Sequence, residues 1–166
     1  MSKYIKKIII PAAIAATLLI LRFVVFFLAV VPSGSMIPTI QIGDQLVVNK
    51  IDRNFSKGDI VVFKYPDDES VYYIKRIIGE PGDKVEIKDG KTYVNEEIIN
   101  EPYLAEEENG DFGPYNVPES SYFMLGDNRN YSKDARFWTN KYVEEDKIIG
   151  KAFYIWFPFN RIRTLQ

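Results

Sequence analysis

The sequence predicts a mainly β protein, with a compact antiparallel β-sheet domain behind one N-terminal transmembrane helix. Two observations carry that prediction. From Pro32 onward, short apolar runs recur between Gly, Pro, Asn and Asp residues. Before Pro32 the chain is almost wholly apolar, with a few cations and no acid. Turn formers at such intervals punctuate strands, and a long apolar run is the signal of a membrane span.

The first element begins after Lys3, Lys6 and Lys7. Residues Ile8 to Val31 are apolar or Ala except for Pro11, Thr17 and Arg22, a run of 24 residues. As a helix it would span roughly 36 Å, against a hydrocarbon core of about 30 Å. Stopping at Leu21 still leaves enough length to cross, with Arg22 snorkelling to the far interface. A cleavable signal peptide would have a shorter core, about 7–15 residues, with small residues at its end. Here the cluster Ala12 to Ala16 lies near the start of the run. A buried core helix would not explain three preceding lysines and no acid. The expected organisation is therefore a cytoplasmic tail (1–7), a membrane anchor (8–31) and a domain outside (32–166), oriented by the lysines. The β-branched and aromatic stretch Phe23 to Phe27 is the place where the chain can leave helix, so the end of the helix is open between Leu21 and Val31.

Strands are expected over Gln45–Ile51, Asp59–Tyr65, Val71–Ile78, Lys84–Ile87, Thr92–Asn95, Ser121–Leu125 and Lys147–Phe157. Three open alike, at Gly43-Asp44, Gly58-Asp59 and Gly82-Asp83. Their spacings of 15 and 24 are unequal, which favours shared turn chemistry over an internal repeat. Glu106 to Asp111, EEENGD, is expected to be a solvated loop.

Composition narrows the chemistry. The 166 residues contain no His and no Cys and carry a net charge of −2. Ser-His-Asp and Cys hydrolases, His- or Cys-ligated metals and disulfides are thereby excluded. A catalytic base must be Asp, Glu, Lys or Tyr. No basic stripe appears after Val31, where acids outnumber cations by 23 to 17, so no nucleic-acid partner is expected.

Three segments can hold chemistry. Val71 to Ile78 reads VYYIKRII, so a strand would set Lys75 with Val71, Tyr73 and Ile77 on one face. Such a lysine is either solvated on an edge strand or desolvated in an apolar wall, where it becomes a general base. Arg76 cannot take that role, because it does not deprotonate. Pro32 to Thr39 reads PSGSMIPT, which either makes a plain polar turn or presents Ser35 as a nucleophile. Gly126 to Arg136 reads GDNRNYSKDAR, a long loop with local side-chain hydrogen bonds whatever else it does.

Taken together and in order behind an anchor, SGSMIPT, YIKRIIGEPGD and GDNRNYSKDAR closely resemble the bacterial type I signal peptidases. The resemblance covers nearly the whole chain. It implies a membrane-bound Ser/Lys endopeptidase on the antiparallel β scaffold of that family. Such an enzyme removes signal peptides from exported preproteins on the outer face of the bacterial plasma membrane. Its cuts follow small-x-small sites of the Ala-x-Ala kind. By the same resemblance Ser35 is the nucleophile, Lys75 the general base, Ser33 an oxyanion-hole donor and Ser132 the hydroxyl that orients the lysine. Asp127, Asp134 and Arg136 are the charged residues that brace the site. Residues 80–122 match the variable non-catalytic cap, which is short here. The implied partners are signal peptides, the lipid bilayer and the vicinity of the export channel, with no metal or cofactor. One departure is Ala135, where the family often has Ser; the change is small for small and spares Ser132, so it is not read as inactivating, and its effect on local hydrogen bonding is left open.

Three rivals are distinguishable. A catalytically dead relative that binds exported segments would lack Ser35 or Lys75. A self-cleaving repressor of related Ser/Lys fold would carry a DNA-binding module in place of the anchor. A structural membrane protein would have a Ser and a Lys that never meet.

Overall fold

Asp44, Asp59 and Asp83 each close a turn immediately before a strand. Each carboxylate accepts the backbone N–H three residues earlier, from Gln41, Ser56 and Glu80, at 2.8–2.9 Å. Each aspartate's own N–H returns to the carbonyl of that same residue. The intervening glycines have φ of 85–91°, which a residue with a side chain rarely adopts. The likeness of the three sites is thus turn chemistry, as expected, and not a repeat.

The computed structural model describes residues 3–20 and 25–165. Helix α1 covers Lys3–Ile20. The strands are β1 (Phe26–Val30), β2 (Gln45–Asn49), β3 (Ile60–Tyr65), β4 (Asp68–Gly79), β5 (Lys84–Lys88), β6 (Lys91–Val94), β7 (Glu97–Ile98), β8 (Phe112–Asn116), β9 (Ser121–Leu125), β10 (Val143–Glu144), β11 (Ile148–Phe157) and β12 (Arg163–Thr164). They form two antiparallel sheets. The larger runs β1-β2-β11-β3-β4-β9-β10, with β12 on β11, and the smaller runs β7-β6-β5-β8. The fold is mainly β, as the sequence predicts.

The large sheet buries both faces at its centre. In β3, Val61 and Phe63 enter one apolar cluster with Ile77, Met124, Leu125 and Trp138, while Ile60 and Val62 enter another with Met36, Ile40, Leu46 and Ile155. Alternate side chains of a strand point to opposite faces, so each core takes one face. That explains the unbroken run IVVF, whereas β2 shows plain alternation, with Leu46 and Val48 inside.

The apolar run 8–31 is not one helix. Phe26–Val30 pairs in register with Gln45–Asn49, Phe26 opposite Asn49 and Val30 opposite Gln45. The chain therefore enters the large sheet five residues before the expected end of the anchor, in keeping with its β-branched and aromatic composition. Leu21, Arg22, Phe23 and Val24, where the expected helix could end and Arg22 could snorkel, lie outside the described residues. Among the described residues, no helix is long and apolar enough to cross a membrane.

Strands β7, β8, β10 and β12 were not expected from the sequence. Three have two residues each, and β8 contains Gly113-Pro114. Proline cannot donate to a ladder, and β8 stands at the end of the small sheet, where a strand tolerates it.

Candidate active site

Strand β4 carries Lys75 into the sheet opposite Val61 of β3. Strand β9 pairs with β4 only from Arg76 to Gly79, so the side of β4 that faces β9 is left without a strand partner from Asp68 to Lys75. Into that gap comes the segment after β1. Met36 and Ile40 are fully buried in the second core and fix the turn that holds Ser35. The Ile37 N–H donates to the Gly34 carbonyl, and the Ile40 N–H to the Met36 carbonyl. Lys75 Nζ and Ser35 Oγ are hydrogen-bonded at 2.7 Å, although they are 40 residues apart. Both are buried, at 3% and 7% exposure.

Lys75 Nζ also donates to the Ile74 carbonyl at 3.0 Å and lies 5.3 Å from the centre of the Tyr73 ring. Burial lowers its pKa to about 8. The carboxylates of Asp134 and Asp127 pull the other way, and Arg136 adds to the lowering. Lysine in an apolar wall is thus the reading that the structure selects over a solvated edge lysine. At pH 8 about half of it is neutral and able to accept a proton.

The loop Gly126–Arg136 closes over the pair. The Asn128 N–H donates to the Ser35 carbonyl at 3.0 Å, and Asn128 Nδ2 to the Gly34 carbonyl at 2.9 Å. Gly126 permits this approach, because a Cβ there would overlap both the Ser35 carbonyl and the Ser132 hydroxyl. Asp127 holds Arg76 through two parallel bonds, at 2.9 and 2.7 Å. Asp134 holds Arg136 likewise, at 2.7 and 2.6 Å, and accepts the Gly126 N–H at 3.0 Å. Burial pushes the Asp134 carboxyl up to about 6 against these donors, so it is ionised at pH 8.

The other expected site residues fall as follows. Ser33 is exposed in the wall of a cleft of about 500 Å³ that also contains Ser35, Lys75, Tyr72, Asn128 and Tyr131. Ser132 is buried beside the Asp134 carboxyl, which its hydroxyl helps to keep ionised. Ala135 is fully buried in the first core, with its N–H donating to the Met124 carbonyl. Its methyl group packs among apolar side chains. Among the described residues, no group of three or more carboxylates is placed to hold a metal ion.

Several members of the site carried no assigned role in the sequence reading. Arg76 is the partner of Asp127, and Asn128 ties the loop to Ser35. EEENGD is not simply solvated: Glu108 is 4% exposed and ion-paired with Arg136. Arg129 pairs with Glu101. These contacts join residues 21 or more positions apart in the chain, which no local pattern reveals.

The family model described as signal peptidase, peptidase S26, matches residues 1–157. Signal peptidase I of Bacillus licheniformis is 38% identical, over 97% of this chain and 91% of that protein. Signal peptidase I T of Bacillus subtilis is 36% identical, over 97% of this chain and 88% of its own. A crystal structure of a signal peptidase I from Enterococcus faecalis superposes with a TM-score of 0.53 at 32% identity. It covers 59% of this chain and 96% of that one.

Proposed function

The chain belongs to the signal peptidase family, peptidase S26, and from that membership we propose that Ser35 and Lys75 are its catalytic dyad. As a signal peptidase I, a serine peptidase, it removes signal peptides from preproteins. The observation that carries the dyad is the buried 2.7 Å hydrogen bond between the two side chains.

The chemistry follows from the charge states. Neutral Lys75 accepts the Ser35 proton as Oγ attacks the scissile carbonyl. The Ser35 N–H and the Ser33 hydroxyl stabilise the oxyanion, each such donor typically worth about 10²–10³ in rate. The Lys75 ammonium then returns its proton to the leaving amine. A water activated by the same lysine releases the acyl group. Ser132 orients the lysine once substrate has entered, and Asp127, Asp134 and Arg136 keep the loop in place.

The substrate binds as an added strand along the uncovered side of β4 between Val71 and Ile74. Alternate side chains then face the cleft wall, and the sites before the cut take small residues, of the Ala-x-Ala kind. The domain works outside the plasma membrane, near the export channel, with the N-terminus in the cytoplasm and the run from Ile8 as anchor. Exposed Phe26 packs on exposed Phe153, and exposed Phe157 on exposed Phe159, and these apolar rings near β1 seat the domain on the bilayer.

Incubation of the purified chain with a preprotein in detergent tests the reading. The wild type should release the mature protein, and Ser35→Ala should release none above background while folding normally. In cell membranes, before detergent is added, both should resist a carbonate wash. Equal cleavage by Ser35→Ala would remove Ser35 from the mechanism, and recovery in the wash would remove the anchor.

A further inference from the structure

Three buried arginines of the site, Arg76 of β4 and Arg129 and Arg136 of the Gly126–Arg136 loop, contact residues 92–108, within the segment 80–122 matched to a non-catalytic cap. The Arg76 guanidinium carbon lies 3.8 Å from the centre of the Tyr103 ring. Arg129 donates to Thr92 Oγ1 at 2.9 Å and to Glu101 Oε2 at 3.2 Å, with a second, closer bond to Glu101 Oε1. The Tyr103 hydroxyl donates to Glu101 Oε1 at 2.7 Å. Arg136 is paired with Glu108, both side chains being 1% exposed. Backbone contacts close the same seam. The Asn109 N–H donates to Asn130 Oδ1 at 2.9 Å, and Asn130 Nδ2 donates to the Glu107 carbonyl at 3.1 Å.

These arginines in turn fix the loop. Arg129 Nε donates to the Gly126 carbonyl at 3.2 Å, and Arg136 Nη2 to the Arg129 carbonyl at 2.7 Å. Arg136 also grips Asp134, which accepts the Gly126 N–H. One chain of contacts thus runs from Glu108 through Arg136 and Asp134 to Gly126, whose missing Cβ makes room for Ser35. A shorter chain runs from Glu101 through Arg129 to the same Gly126.

We propose that Glu108 and Glu101 are positioning residues for catalysis: through Arg136 and Arg129 they hold the Gly126–Arg136 loop against Ser35 and Lys75, so the connection between β7 and β8 is part of the catalytic apparatus. The inference rests on the Ser35–Lys75 reading. A buried guanidinium that loses one of two carboxylates keeps its charge and seeks a new partner. For Arg136 the remaining partners are Asp134 and backbone carbonyls, so the loop must shift. A shift near 1 Å at a reacting group lowers turnover by up to about 100-fold.

The charge change also has a sign. The groups that bear on Lys75 are Asp134 and Asp127, which favour its ammonium, Arg136, which opposes it, Lys133 in the same cleft, and the Tyr73 ring. Arg136 is now offset by two carboxylates. Removing the Glu108 charge leaves it offset by one, which disfavours the ammonium. The acid limb of the pH profile should then move to lower pH.

The test uses the full chain in detergent with a signal-peptide substrate, in Glu108→Gln and Glu108→Asp. Glu108→Gln should lower kcat by about 10–100-fold, change KM less than about threefold, and move the acid limb of kcat/KM to lower pH. Glu108→Asp, with the charge restored, should recover part of kcat and return the limb towards the wild-type position. A kcat loss that only follows the folded fraction, with the limb unmoved in either variant, would overturn the proposal, as would wild-type turnover by folded Glu108→Gln. Should Glu108→Gln not fold, an unmoved kcat and limb in Glu101→Gln, together with wild-type behaviour of Glu108→Asp, overturns it equally. Failure of the dyad reading would appear elsewhere, as cleavage that survives Ser35→Ala.

Discussion

Lys75→Arg should leave a folded protein with at least about 10³-fold less turnover, the scale of losing a general base and the nucleophile it activates. Arginine keeps the charge and much of the stem but does not release its proton at any working pH. The slot is also unforgiving, since Lys75 is 3% exposed and reaches Ser35 Oγ and the Ile74 carbonyl together. Lys75→Ala should be comparably inactive, because Ser35 has no other amine or carboxylate within hydrogen-bonding distance among the described residues. A lysine kept for its charge alone would be replaced well by arginine. Peptide turnover and a circular-dichroism melt of both variants decide the matter.

Gly126→Ala should be nearly as damaging, and for a different reason. The new Cβ meets the Ser132 hydroxyl and the Ser35 carbonyl, and the second is backbone that cannot swing aside. Overpacking of this kind typically costs about 1–3 kcal/mol. For a chain of this size that lowers Tm by roughly 2–12 °C. The larger effect should be on rate. Relief of the overlap must part the loop from the Ser35 turn, breaking the Asn128 N–H bond to the Ser35 carbonyl. A displacement near 1 Å there predicts a loss of about 100-fold in kcat. Wild-type turnover and melting in Gly126→Ala would mean that loop and nucleophile do not pack as described.

Much of this arrangement was legible in the residues, and the exceptions have physical reasons. VYYIKRII announced a strand with a cation among apolar neighbours, because strand periodicity is local. It could not announce which of two outcomes awaited Lys75. That depended on β9 stopping at Arg76 and on the Ser35 turn filling the gap, contacts 40 and more residues distant in sequence. Ser35 was legible as a bend between Gly34 and Pro38, but its burial comes from Met36 and Ile40, whose core lies across the sheet. Glu108 was hidden in a run of acids. A solvated glutamate and a buried counter-ion have the same sequence, and only Arg136 on another loop separates them. The apolar run misled in the opposite way. Phe26–Val30 satisfies a membrane-span pattern and an edge strand equally, and pairing with Gln45–Asn49 decides between them. Strand β8 escaped notice because Gly113-Pro114 marks a turn in most settings, and an end strand is one of the few places that accepts it.

The claim that a neutral lysine activates Ser35 is tested most directly by kcat/KM of the wild type between pH 6 and 10, on a peptide with no group titrating in that range. This ratio reports ionisations of the free enzyme. Below its pKa Lys75 is an ammonium and cannot take the Ser35 proton, and above it the amine is free to do so. The rate should therefore rise with pH through a midpoint near the lowered pKa of about 8, with unit slope, and level off above it. A profile that is flat across the range, or that begins to rise only near the ordinary lysine value of about 10.4, would contradict it.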